Sequence, residues 1–225
     1  MEQNSSSKSL TYKHISHSTD EIVTYIDNRR KGIVKSLKTR WGKFNKVCMG
    51  GIEPNVIISI AGISGSGKSS LANSLETDLI DLNPAEDIVI LSFNFEMLSS
   101  RQVGRKLSYK LTKTTSELYS SSPTGEELTE KDMSNIIEES KSIKQYPIYY
   151  VDSPGTVDEI RETILHFSAL PQVKDKWLVI ILDHTLLTKG KAGESEREIL
   201  THLQRLFMEI KKYNRNTIIQ LSQMN

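Results

Sequence analysis

The run Gly62-Ile63-Ser64-Gly65-Ser66-Gly67-Lys68-Ser69 sets glycines, hydroxyls and one lysine at the spacing G-x-x-x-x-G-K-S. That spacing suits a polyphosphate. Glycines let successive backbone N–H groups curl around an anion, and a following helix adds the positive end of its dipole. On this reading Gly62, Ser64, Gly65, Ser66, Gly67, Lys68, Ser69 and Ser70 form a phosphate cradle. Lys68 brings an ammonium to the β- and γ-phosphates, and the Ser69 hydroxyl is a ligand for Mg²⁺. The competing interpretation is a plain Gly/Ser turn. The flanks favour the nucleotide loop: an apolar β-branched run (Val56, Ile57, Ile58, Ile60) precedes it, and a helical pattern with Leu71 and Leu75 on one face follows.

Three other polar residues close apolar runs. Asp183 follows Trp177–Leu182 and is either a carboxylate for Mg²⁺, opposite Ser69, or a surface-turn acid. Glu96 ends the second apolar run. If that strand neighbours the first, its carboxylate can polarise a water in line with the γ-phosphate; otherwise it is a solvated acid ahead of a helix N-terminus. Gln223 either touches the γ-phosphate and reports hydrolysis or is an ordinary polar strand end. Asp152 reads equally as a turn residue of the Ser-Pro-Gly bend. Lys189 and Lys191 can touch a nucleic-acid backbone, but a charged, Gly-rich loop is more often simply solvated. His184 and the other histidines show no metal spacing, and the lone Cys48 builds neither a zinc site nor an internal disulfide.

The elements that must position these groups follow from the pattern. At 225 residues the chain suits one α/β domain with some extra at an end. With 29 basic and 28 acidic residues, no global field advertises nucleic acid or membrane. No apolar stretch approaches a membrane span and the N-terminus lacks a signal-peptide core, so the chain reads as soluble and intracellular. Residues 1–18 read as a flexible tail. Residues 19–34 read as a linker helix beginning at Thr19, with Ile22, Ile26 and Ile33 on one face and Gly32 as its stop. Lys35–Glu53 is a lead-in segment anchored by Trp41, Phe44 and Val47. Strands are expected at Val56–Ile60, Asp87–Phe95, Tyr146–Val151, Trp177–Leu182 and Thr217–Leu221. Tyr119–Glu127 reads as a surface loop. Helices start at Ser99 (with Gln102 as capping-box partner), at Thr129 more weakly, at Thr156 with Glu159, and at Ser195 with Glu198. The alternation predicts a mostly parallel sheet with helices on both faces, its ligands gathered at the carboxyl ends of the strands.

Together these pieces resemble the DnaB-like replicative DNA helicases of the wider RecA-like ATPase group. The resemblance runs from about Lys35 to Asn225. It is carried by Asn94-Phe95-Glu96-Met97-Leu98-Ser99, by Leu128-Thr129-x-x-Asp132 with Tyr146–Asp152, and by Leu221-Ser222-Gln223-Met224-Asn225, beside the phosphate loop. It implies a RecA-like P-loop fold over 35–225, with ATP and Mg²⁺ as ligands. Lys68, Glu96 and Gln223 are then catalytic, Glu96 as hydrolytic base and Gln223 as γ-phosphate sensor, while Ser69 and Asp183 hold the metal. It also implies a ring of six, with ATP between subunits and single-stranded DNA in the channel, a linker helix that docks on the next subunit, primase contact, and a cytoplasmic replication site. Arg105 matches an arginine of the relatives and receives no role. The family's N-terminal domain finds no counterpart here, and the strands that supply an arginine finger and a basic DNA-contacting loop would follow the last shared motif. The ATPase domain is thus expected to be incomplete at its C-terminal end.

Two other classes compete. A small-molecule P-loop kinase would accept the same loop but needs an arginine-rich lid, which the stretch from Pro154 to Ser195 lacks. A nucleotide-binding assembly module without turnover would need only the loop and the helical arm.

Overall fold

The computed structural model describes residues 12–120, 128–213 and 215–224. Most of the expected Tyr119–Glu127 loop, the first residues of the expected tail and Asn225 lie outside them. The chain divides after Ser36 into two units.

The first unit holds helix α1 (Ile15–Arg30). It starts four residues before the expected Thr19, because His14 caps it by accepting from the Ser16 N–H and Lys13 pairs with Glu21 at 2.6 Å. Gly32 ends it as expected. Its φ of 70° lets the Ile33 N–H turn back to the Asn28 carbonyl. Ile33 therefore lies beyond the helix, and the apolar stripe is Ile15, Ile22, Val23 and Ile26, all exposed.

The second unit opens with an antiparallel bridge, Leu37 to Ile52, closed by hydrogen bonds of 2.7 and 2.8 Å. Both side chains are buried, and a short helix α2 (Gly42–Val47) fills the loop between them. Gly51 is obligatory there. Its φ is 136°, and a Cβ would stand 2.1 Å from the Leu37 carbonyl oxygen. Trp41 and Phe44 pack on the core as expected, but Val47 is 82% exposed; Leu37 and Ile52 take the anchoring role.

Five strands follow: β1 (Ile57–Gly62), β2 (Ile88–Asn94), β3 (Ile148–Val151), β4 (Trp177–Asp183) and β5 (Thr217–Gln223). They form one sheet in the order β1-β5-β4-β2-β3, every pairing parallel. The helices are α3 (Lys68–Asp81), α4 (Ser99–Leu111), α5 (Thr115–Leu118), α6 (Glu130–Ile143), α7 (Val157–Ser168) and α8 (Glu196–Ile210). The central strand β4 explains the layering, because its apolar run is covered on both faces. Leu178, Ile180 and Leu182 join the core of α7 and α8, with Ile160, Ile164, Leu203 and Phe207. Trp177, Val179 and Ile181 face α3, with Leu75 and Leu79, and the lead-in segment. Each such buried side chain is worth about 1.5–3 kcal/mol of transfer free energy, an upper bound for a real unfolded ensemble.

The strand order corrects one expectation. β2 does not neighbour β1; β5 and β4 lie between them. At the carboxyl edge the register instead pairs Gly62 with Gln223 and Asn94 with Asp183.

Candidate functional site

The phosphate loop leaves β1 at Gly62 and enters α3 at Lys68. Gly65 and Gly67 take φ of 73° and 86°, a region glycine occupies without steric cost. Gly67 is the N-cap and offers no side-chain cap, so the first N–H groups of α3 stay open to an anion. At Gly62 a Cβ would meet Ser66 Oγ at 2.6 Å, which keeps the loop closed on itself only with glycine there. Lys68 folds over the loop, its Nζ donating to the Gly62 and Ile63 carbonyls at 2.9 Å each. Ser64, Ser66 and Ser70 lie exposed along its rim, and Ser69 is half-buried at its base.

Asp183 sits at the end of β4, buried at 3% exposure. Burial pushes its carboxyl up from the usual carboxylate range. The Ser69 hydroxyl acts as a hydrogen-bond donor that pulls it back down, the Glu96 charge pushes it up again, and His184 and Arg105 lower it. These influences place Ser69, Glu96, His184 and Arg105 around one carboxylate. Its Oδ1 is buried with no hydrogen-bond partner among the described residues, and so are Asn94 Nδ2, Arg105 Nη1 and Thr185 Oγ1. A buried polar atom left bare costs about 1–3 kcal/mol, so the set marks where polar ligands or water complete the structure. A hydroxyl and a carboxylate oxygen beside a phosphate loop are the hard donors that a Mg²⁺ ion accepts.

Glu96 is exposed, in the turn after β2 rather than on the strand. The sheet continues one residue past Asn94, where the Phe95 N–H donates to the Asp183 carbonyl at 2.8 Å, so Glu96 emerges beside Asp183. On the other side, Gln223 is tied to the phosphate loop through its register partner Gly62 and through the Met224 N–H, which donates to the Gly62 carbonyl at 3.1 Å. Gln223 Oε1 lies 3.1 Å from His184 Nε2. His184, the residue after Asp183 and joined to it by a cis peptide, is buried. It was missed as a functional candidate, since a lone histidine carries no spacing.

The supporting contacts also differ from the sequence expectation. Gln102 does not cap α4; it is buried and meets the Asn73 amide at 2.9 Å. Asp152 caps the helix instead, accepting from the Ser99 N–H at 3.0 Å and from its hydroxyl at 2.7 Å. A charged acceptor is the stronger partner for those donors. The boxes at Thr129, Thr156 and Ser195 form as expected, Thr129 with Asp132 as a complete one. Beneath the loop, Glu76 of α3 pairs with Lys106 of α4 at 2.6 Å, both buried. It also accepts from Ser92 at 2.6 Å and Tyr150 at 3.1 Å. Burial lowers the Lys106 ammonium against the opposing pull of Glu76, and it pushes the Tyr150 phenol up. Lys191 pairs with Asp158 at 2.7 Å, and Lys189 N–H donates to the Gly155 carbonyl, tying the Gly/Lys loop to the start of α7.

The profile of the DnaB-like helicase C-terminal domain matches residues 36–225. Among solved structures, an isolated ATPase domain matches with a TM-score of 0.73 at 16% identity, over 92% of this chain and 71% of that one. A structure of a DnaB-like replicative helicase and its interactions with primase matches with a TM-score of 0.72 at 16% identity, over 92% of this chain and 48% of that one. The chain thus spans about half the length of the second. At this identity the structural likeness speaks to the RecA-like fold. No curated protein matches. Neither the kinase nor the assembly-module alternative draws support from these matches, and Arg161, the one arginine between Pro154 and Ser195, is paired with Glu209.

Proposed function

Because the chain belongs to the DnaB-like helicase C-terminal domain family, we propose that it turns over ATP at the carboxyl edge of the sheet with Lys68, Glu96, Asp183 and Gln223. The family sets the class: a nucleotide-binding, nucleotide-hydrolysing motor domain of the replicative-helicase kind. The observation that carries the residue assignment is the buried Asp183, with a bare Oδ1, beside the Ser69 hydroxyl at the foot of an open phosphate loop.

In this reading Lys68 exchanges its two carbonyl partners for the β- and γ-phosphates, while the N–H groups of Gly65 to Ser70 hold the chain of phosphates. Ser69 and Asp183 hold Mg²⁺, which when bound neutralises charge on the transferred group. Glu96, exposed to water at the rim, orients the attacking water and takes its proton. Gln223 turns its free amide N–H groups to the γ-phosphate. Single-stranded DNA as track, a ring of six with sites between subunits, α1 as the arm onto the next subunit, primase contact and a cytoplasmic replication site are proposals carried by family membership. Residues 1–18 as tail, 19–34 as linker and 35–225 as ATPase domain remain the proposed organisation. An arginine supplied in trans is worth several orders of magnitude in such sites, so assembly governs turnover.

The test is the ATPase rate with and without single-stranded DNA, read beside native mass. Turnover stimulated by DNA in a ring-sized species is the expected result. Glu96→Gln keeps nucleotide affinity and lowers the rate by roughly a hundred-fold or more, the scale of general-base catalysis. Turnover that requires a small acceptor molecule refutes the motor, and an undiminished rate in Glu96→Gln refutes the base.

A further inference from the structure

We infer that His184 is a positioning residue that fixes the amide orientation of Gln223, and so determines whether the sensor presents a hydrogen-bond donor to the γ-phosphate. The inference rests on the nucleotide reading above and extends it to a residue that reading does not use.

The argument is one of proton bookkeeping. The backbone N–H of Leu186 can only donate, and it lies 3.3 Å from His184 Nδ1. Nδ1 is therefore the acceptor, and in the neutral ring the proton resides on Nε2. Nε2–H then donates to its neighbour on Gln223 at 3.1 Å, and the partner that accepts must be the carbonyl oxygen Oε1 rather than the amide nitrogen. With Oε1 held, both amide N–H groups of Gln223 are left as donors without a protein partner among the described residues. A terminal phosphate oxygen accepts; it cannot use an amide oxygen. Were the histidine missing, the amide could flip and offer the phosphate its oxygen, a repulsive contact.

Location gives the contact its consequence. His184 is buried at 7% exposure and is covalently next to Asp183, the proposed metal-side acid. Gln223 is paired in register with Gly62, the first glycine of the phosphate loop. The imidazole thus links the end of β4 to the end of β5, joining the acid that faces Mg²⁺ to the residue that faces the γ-phosphate. Sequence spacing gives no hint of this, because 39 residues separate the two side chains.

The test is equilibrium binding of a fluorescent non-hydrolysable ATP analogue and of fluorescent ADP, each with Mg²⁺, to the full 225-residue chain. His184→Asn keeps an oxygen for the Leu186 N–H but its side chain is too short to reach Gln223. Its preference for the triphosphate over ADP should fall by roughly ten- to hundred-fold, the worth of one hydrogen bond to a charged group. ADP affinity and melting temperature should hold. Gln223→Ala should show the same loss, and the double variant no more than either single one. His184→Gln, which can place an N–H at the old Nε2 position, should recover most of the preference. An undiminished preference in His184→Asn overturns the inference. So do multiplicative losses in the double variant, or an equal loss of ADP affinity together with a lowered melting temperature, which is the mark of a merely structural role. A wild-type chain that binds neither nucleotide overturns the nucleotide reading itself, before any variant is compared.

Discussion

Replacing Lys106 by Met should destabilise the protein by about 3 kcal/mol at pH 8, and the loss should shrink as the solution is made acid. The ammonium and the Glu76 carboxylate are 1% and 3% exposed, and they meet at 2.6 Å. Removing one partner of a buried pair costs about 3–5 kcal/mol, because the other charge is left without compensation. Ser92 and Tyr150 still donate to Glu76, which places this case at the lower end. For a chain of this size each kcal/mol moves the melting temperature by about 2–4 °C, so a fall of roughly 6–12 °C is expected. The pH dependence has a definite sign. Burial lowers Lys106 from its ordinary value, so between the lowered value and 10.5 the unfolded chain binds more protons, and wild-type stability gains as pH rises through that window. In the variant, burial favours the protonated Glu76 carboxyl, and stability falls as pH rises. Both effects widen the gap toward alkaline pH. Urea denaturation of both proteins at pH 5.5, 7 and 8.5 measures it. The double variant Glu76→Gln with Lys106→Met should return to within about 1 kcal/mol of wild type, since neutral isosteres spare the desolvation of two charges. A single-variant loss below 1 kcal/mol, or a gap that narrows with rising pH, would refute the reasoning.

Further outcomes follow from the site and its supports. Asp183→Asn removes a carboxyl that burial holds above its ordinary range. A raised acid costs stability once pH passes its unfolded value near 3.8, so the apo variant should melt higher at pH 7.5 while losing Mg²⁺-dependent nucleotide binding; thermal shift with and without Mg²⁺-ATP reads both. Asp152→Ala removes the cap of α4 and should cost about 0.5–2 kcal/mol, visible as a lowered urea midpoint with an unchanged slope.

Much of the fold was legible because its determinants are short-range. The capping boxes at Thr129, Thr156 and Ser195 join residues three apart, so their spacing is their mechanism. The same kind of spacing misled at Ser99. Gln102 stands in the box position, yet Asp152, 53 residues away, brings a full charge to the same donors and displaces it. Val47 read as an anchor from its apolar side chain alone, while the bridge that makes Leu37 and Ile52 the anchors closes between distant segments. Glu76 and Lys106 lie in helical runs where charges usually mean a wet face, and nothing in the spacing announces that they are buried against each other.

The amino-acid order by itself determined the phosphate loop, the apolar strands and the polar residue that ends each, because backbone conformation and side-chain period are set by neighbours a few positions away. The assembly around Asp183 was decided only by the tertiary structure. Glu96 comes to that acid through the pairing of β2 with β4, not through adjacency to β1, and His184 meets Gln223 only because β5 lies between β4 and β1. Which strand ends lie side by side depends on how two apolar layers close over the sheet, a global packing solution that local spacing does not encode.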